Sequence, residues 1–251
     1  MISTPRGPSR YAWSMATDRV IGPTAEPHDE HANWALRPAT IDEYIGQAEL
    51  IERITIAIKA AQGRKDPLEH VLLHGPPGLG KTTLAHVLAQ EMGTKLHVTS
   101  GPALAKGTDL VSCLTRLQAG DLLFIDEIHR LPIAVEEFIY PAMEDFRVDV
   151  TIDSGLSART VQIRCKPFTL IGATTRAGLI SAPLRSRFGI VHHLRYYSHA
   201  ELVQLLSRSA RLLNLASASP ASIDAIAARS RGTPRIDRKS TRLNSSHLVI
   251  S

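Results

Sequence analysis

The chain has 251 residues, 43% of them hydrophobic and 21% charged, the composition of a globular protein with one large domain or one and a half. No apolar run approaches membrane-spanning length and the N-terminus lacks the apolar core of a signal peptide, so no membrane partner is expected. Of the net charge of +5, Arg238, Lys239 and Arg242 against Asp237 supply +2, and the remaining +3 is too ordinary to imply nucleic acid.

Cys113 and Cys165 stand apart without metal or disulfide spacing, which fits a reducing cytoplasm. Residues 1 to 30 carry Pro5, Gly7, Pro8 and Gly22 with no sustained periodicity and read as a disordered arm. His28 and His31 in that arm sit among Glu26, Asp29 and Glu30, more simply a solvated acidic stretch than a metal site. Pro38 and Gly46 then punctuate the chain before an amphipathic helix with Leu50, Ile51, Ile54 and Ile58 on one face. Arg37 and Tyr44-Ile45 are candidates for lining a base pocket.

The short apolar run Val71–Leu73 leads into a glycine-rich turn, His74 to Thr83, and a helical pattern through Leu84, Val87 and Leu88. Strand, turn and helix in that order are the setting a phosphate-binding loop requires. Gly75, Gly78 and Gly80 let successive N–H groups point inward at an anion, and the helix dipole adds to their pull. Lys81 supplies a mobile charge to the terminal phosphates and Thr82 a hydroxyl to Mg²⁺. A dinucleotide fingerprint is excluded because Lys81-Thr82-Thr83 stands where its third glycine belongs.

A second strand begins at Leu96, and Thr108 and Asp109 open a helix through Leu110, Leu114 and Leu117. Asp121–Glu127 is a third strand whose apolar run does not alternate, as in a parallel sheet covered on both faces. Beside a phosphate loop, Asp126 at its C-terminal end reads as a Mg²⁺ partner and Glu127 as the group that polarises the attacking water. His129 reads as a histidine on the surface or behind the site rather than a catalytic one. A helix over 133–145 kinks at Pro141, and alternating residues from Val148 to Ile163 make a hairpin with Leu156 near its tip, a docking position. Phe168–Arg176 is the fourth core strand and ends in Thr174 and Thr175, hydroxyls placed to hold the water and the γ-phosphate. Arg185 and Arg187 follow on a short exposed segment; in an oligomeric ATPase such an arginine reaches a neighbour's site. Ile190–Leu194 is a fifth strand. A Ser198/Glu201 capping box, Pro220, and Thr233-Pro234 then open three helices of a small lid, with Arg235 near the start of the last.

Together these strings identify a resemblance. The chain is similar to the AAA+ ATPases, and within that superfamily it resembles the RuvB family of bacterial Holliday-junction branch-migration motors, from about Leu36 to Ile236. The resemblance rests on the residues Gly75–Ala85, Thr99–Pro102, Leu123–Leu131, Phe168–Arg176, Pro183–Gly189 and Arg229–Ile236. It implies an α/β fold: a P-loop AAA+ core over residues 31–196, a parallel sheet flanked by helices with a hairpin insertion at 147–164, then a small, incomplete helical lid over 197–236. It also implies site roles. Leu36 and Arg37 would contact the base, and Gly78, Lys81, Thr82 and Thr83 the phosphates and Mg²⁺ of ATP. Asp126 and Glu127 would be the Walker B pair and Thr174 or Thr175 the first sensor. Glu144, Asp145 and Phe146 would flank a nucleotide, Arg187 would be the finger in trans, Tyr197 would lie by the base and Arg235 would be the second sensor. Its partners would be five further copies in a hexameric ring, double-stranded DNA at Holliday junctions, a RuvA-like junction-binding protein on the hairpin and a RuvC-like resolvase. Residues 237–251 match no part of the family pattern and read as a foreign tail, with the family's winged-helix DNA-binding domain absent. The competing readings are a clamp-loader-like assembly switch and an inactive nucleotide-binding fragment.

Overall fold

The structure, a computed structural model, describes residues 36–152, 159–215 and 218–234. The arm, Leu156, Arg235 and the tail lie outside the described residues.

Helix α1 (Ala48–Arg64) follows two left-handed residues, Gly46 and Gln47, and buries Leu50, Ile54, Ile58 and Ala61, a single stripe at helical spacing. Strand β1 (Val71–His74) feeds the glycine loop and helix α2 (Lys81–Met92). Then come β2 (Leu96–Ser100), α3 (Gly107–Thr115), β3 (Leu122–Asp126) and α4 (Ile133–Asp145). Helix α4 contains Pro141, where the sequence predicts a kink, and its range continues past that residue to Asp145. The antiparallel hairpin β4 (Arg147–Ile152) and β5 (Arg159–Arg164) pairs Val148 with Ile163 and Val150 with Val161. Strand β6 (Thr169–Thr174), the short helix α5 (Ala182–Arg185) and β7 (Ile190–His193) complete the core. Two lid helices follow, α6 (His199–Leu212), opened by the predicted Ser198/Glu201 capping box, and α7 (Pro220–Arg229).

The five core strands are all parallel, in the order β2-β3-β6-β1-β7. The non-alternating apolar runs are explained by burial on both faces. Val71, Leu73, Leu122, Phe124, Ile171 and Ala173 face one core with α1, α2 and the lid, while Leu72, Leu123, Ile125 and Leu170 face the other with α3 and α4. The topology has one consequence for chemistry. Strand β6 lies between the phosphate-loop strand β1 and the carboxylate strand β3, so the residues ending β6 stand between the two motifs. No helix of the described residues is long and apolar enough to cross a membrane.

Candidate nucleotide site

The site forms where the parallel strands end. Gly75 continues β1 by donating its N–H to the Thr174 carbonyl at 3.1 Å. A side chain cannot stand at Gly75, because a Cβ there would lie 2.7 Å from the Leu194 backbone oxygen. Gly78 and Gly80 have φ of +82° and +94°, and Gly80 caps α2 in the left-handed region that glycine alone enters without strain. Thr82 and Thr83 occupy the first turn of α2, whose N–H groups have no helical acceptor and face an incoming anion. Lys81 is buried and its ammonium donates to the carbonyls of Gly75 and Pro76, each at 2.9 Å. Burial pushes the Lys81 pKa down, against the opposing pull of Asp126 and Glu127. The lysine charge, the loop and both carboxylates thus share one electrostatic site.

Glu127 sits just past β3 with φ +48° and ψ 47°, a left-handed conformation unusual for a side chain with a Cβ. Its N–H donates to Asp126 Oδ1 at 3.0 Å. The carboxylate turns toward β6, where it accepts from the Thr175 hydroxyl at 3.2 and 3.3 Å. His129 Nδ1 lies 3.1 Å from Glu127 Oε2 and 2.8 Å from Thr174 Oγ1. The two threonines therefore part company: Thr175 touches the carboxylate, while Thr174 is fully buried and faces the histidine. His129 itself is buried, with only 8% of its side chain exposed, so its placement is behind the site and not on the surface.

Over the start of α2 lie the segment that enters the fold and the first residue of the lid. A Cβ on Gly80 would stand 3.0 Å from the Tyr44 hydroxyl and 3.8 Å from that of Tyr197, and Gly46 packs under the Tyr197 ring. Leu36 is buried, and its carbonyl accepts from Arg208 of α6 at 2.9 Å; Arg208 also pairs with Glu43 at 2.6 Å. Burial lowers the Arg37 pKa, and Arg37 in turn helps to lower that of His86 on α2. Tyr44 and Tyr197 thus stand over Gly80 of the phosphate loop, while Leu36 is tied to the lid through Arg208 and Arg37 lies near His86 of α2. Arg208 and Glu43 carry no motif, and their part in this clamp is visible only in three dimensions.

Glu144, Asp145, Phe146 and Arg187 are not brought to this loop. Helix α4 runs back to the strand starts, where His70, one residue before β1, hydrogen bonds the Met143 carbonyl at 3.0 Å. Arg187 precedes β7 and pairs with Glu144 at 3.1 Å, its guanidinium lying 4.4 Å from the Tyr140 ring centre. Tyr140 donates to Glu136 at 2.8 Å, and Glu136 also accepts from Ser181 at 2.6 Å. Asp145 pairs with Arg147 at 3.0 Å, and Phe146 packs edge-on to Phe168. This cluster lies toward the strand starts, at the opposite end of the sheet from Lys81.

A phosphate loop on β1, an acidic pair on β3, hydroxyls on an intervening β6 and a helical lid define a P-loop AAA+ domain of the ATPase class. The family model described as the Holliday junction DNA helicase RuvB P-loop domain matches residues 36–194, and that of the RuvB AAA lid domain matches residues 197–243. The chain belongs to the RuvB family. It is 57% identical over 203 residues to the Holliday junction branch migration complex subunit RuvB of Desulfosudis oleivorans, a stretch covering 81% of this chain and 59% of that protein. The chain therefore spans less than two thirds of that relative's length. It also resembles the solved structure of the Thermotoga maritima RuvB Holliday junction branch migration motor, with 48% identity, a TM-score of 0.75, and coverage of 86% of this chain and 67% of the other. A point mutant from the same source aligns with 49% identity and a TM-score of 0.77, covering 86% of this chain and 67% of the other.

Proposed function

We propose that this chain binds ATP with Mg²⁺ and hydrolyses it where copies of the chain meet, as a motor subunit driving branch migration of Holliday junctions in recombination and repair. The observation that carries the reading is the division of the site residues between the two ends of one sheet. Asp126 and Thr174 end their strands and Lys81, Thr82, Glu127 and Thr175 lie just beyond the strand ends, while Arg187 with Glu144 lies before the strand starts. A ring of like-oriented copies brings one group against the other, so a hexamer gives each nucleotide a finger it lacks in cis.

In this reading Gly75, Gly78, Gly80 and the first turn of α2 bind the phosphates through N–H groups, and Lys81 leaves its two carbonyls to meet the terminal phosphates. The hydroxyl of Thr82 and the carboxylate of Asp126 are hard oxygen donors beside that lysine, a set that fits Mg²⁺. The ion would supply charge neutralisation on the phosphate oxygens. Glu127 accepts the proton of the attacking water, Thr175 aligns it, and Leu36, Arg37 and Tyr197 hold the base. Arg187 stabilises the charge that develops in the neighbouring copy's nucleotide, flanked by Glu144, Asp145 and Phe146. Arg235 adds a lid cation. The hairpin at 147–164, on which Val161 is 42% exposed, takes a RuvA-like partner, and a RuvC-like resolvase joins the larger complex on double-stranded DNA. The ATPase domain covers residues 31–196 and the lid starts at 197. The names of the relatives support the junction; the site supports the ATPase. Replacing Glu127 by Gln tests the reading: bound ATP should persist while turnover falls by at least about a hundredfold. Persistent turnover would assign the water to another base.

A further inference from the structure

Glu136 is a buried carboxylate, 6% exposed, to which the proposed reaction gives no part. Glu136, Tyr140 and Glu144 stand four residues apart along α4 and so share one face. Each of them meets the segment 181–187, which ends in Arg187. Glu136 Oε2 accepts from the Tyr140 hydroxyl at 2.8 Å and from the Ser181 hydroxyl at 2.6 Å. Ser181 caps α5 by accepting from the Leu184 N–H at 3.3 Å. The carbonyl of Pro183, inside that helix, accepts from Arg187 Nη1 at 2.6 Å. The Tyr140 ring lies 4.4 Å from the same guanidinium, and Glu144 Oε1 stands 3.1 Å from its Nε. One carboxylate thus ties down two supports of the arginine, the ring beneath it and the helix that leads to it.

We propose that Glu136 is a positioning residue that presets Arg187 for the neighbouring copy's nucleotide, acting through Tyr140 and Ser181. The inference rests on the reading of Arg187 as a finger supplied in trans. A buried carboxylate is costly unless its lone pairs are used, and these go to two hydroxyls that each fix one support. Arginine has a long, rotamer-rich side chain. Holding it in place before the interface closes removes an ordering cost from the catalytic step. Glu144 faces the guanidinium itself, whereas Glu136 bonds its supports, so the effect of Glu136 on the neighbour's site runs through geometry. Loss of Glu136 frees the ring and α5 together and lets the guanidinium drift from its place. The Lys81 loop, at the other end of the sheet, keeps its own shape.

The test uses the full chain. Glu136→Ala should lower kcat about tenfold to a hundredfold while the Kd for ATP stays within roughly twofold of wild type. Glu136→Gln keeps an oxygen that accepts from both hydroxyls and should recover most of that loss. Complementation then separates positioning from simple destabilisation. Glu136→Ala subunits mixed with Lys81→Ala subunits should exceed the average of the two activities, because intact loops then meet intact fingers. Mixed with Arg187→Ala subunits they should give the average and no more, since neither copy supplies a positioned finger. A kcat for Glu136→Ala within about twofold of wild type, equal losses in Ala and Gln, or the same outcome with either mixing partner overturns the proposal. Tyr140→Leu removes the ring and leaves Glu136 with Ser181, so it carries the same mixing test if Glu136→Ala folds poorly. It too should gain from Lys81→Ala subunits and not from Arg187→Ala subunits, and the reverse overturns the proposal. If Arg187→Ala and Lys81→Ala subunits do not complement each other, the reading of Arg187 fails first and the inference falls with it. If they do, and Glu136→Ala with Lys81→Ala does not, the inference alone fails.

Discussion

Arg187 is paired with Glu144 of its own chain at 3.1 Å, at the strand-start end of a sheet whose other end carries Lys81. An arginine so placed stands apart from the Lys81 loop of its own chain, which is the arrangement expected of one that acts on a neighbouring copy. It is paired with an anion and lies over an aromatic face, and Tyr140 is itself fixed through Glu136 and Ser181. Arg187→Ala should therefore lower kcat roughly a thousandfold, the scale of a lost arginine finger. Mixing Arg187→Ala with Lys81→Ala should restore measurable ATPase, because some interfaces then combine an intact loop with an intact finger. No recovery at any ratio would place the arginine's action in cis.

The backbone around Glu127 is tightly set, and Gly101 shows how tightly. A Cβ at that position would stand 2.5 Å from the Glu127 carbonyl oxygen and 3.3 Å from the Arg130 carbonyl carbon, backbone atoms that no rotamer change can move. Gly101→Ala should cost about 1–3 kcal/mol of stability, and kcat should fall more than nucleotide affinity. Thermal melts beside steady-state kinetics check both parts.

His70 joins β1, β6 and the end of α4 as a neutral ring. Burial pushes its pKa below the usual histidine range, with the bond to the Met143 carbonyl opposing that push. The folded protein thus takes up fewer protons than the unfolded chain, so this contribution is complete above about pH 6.5 and is lost as pH falls through the depressed value. Denaturant titrations from about pH 7.5 to 5 should show a steeper loss of stability in wild type than in His70→Gln. Equal slopes would assign the acid sensitivity to other groups.

Much of this was legible in local chemistry. The glycine loop and its helix, the carboxylate strand, the capping box at Ser198 and the hairpin alternation each need only a few neighbouring residues, so pattern alone places them. Strand order was not so legible: that β6 divides β1 from β3 depends on contacts far apart in the chain. The same is true of His129. A histidine two residues beyond Glu127 gives no sign in sequence that its ring turns back beneath Thr174. Glu144, too, looks like an ordinary helix-end acid until the return of α4 sets it beside Arg187, at the far end of the sheet from the loop.

If the loop ending in Lys81 grips a nucleoside triphosphate, thermal denaturation with Mg²⁺ and ATP reveals it as a rise in melting temperature. Wild-type protein at about a hundredfold excess of ATP over Kd should melt several degrees higher, roughly 5 °C or more, and Lys81→Ala should not move. No shift in the wild type, or an equal shift in the Lys81→Ala protein, would mean that this loop does not hold the nucleotide.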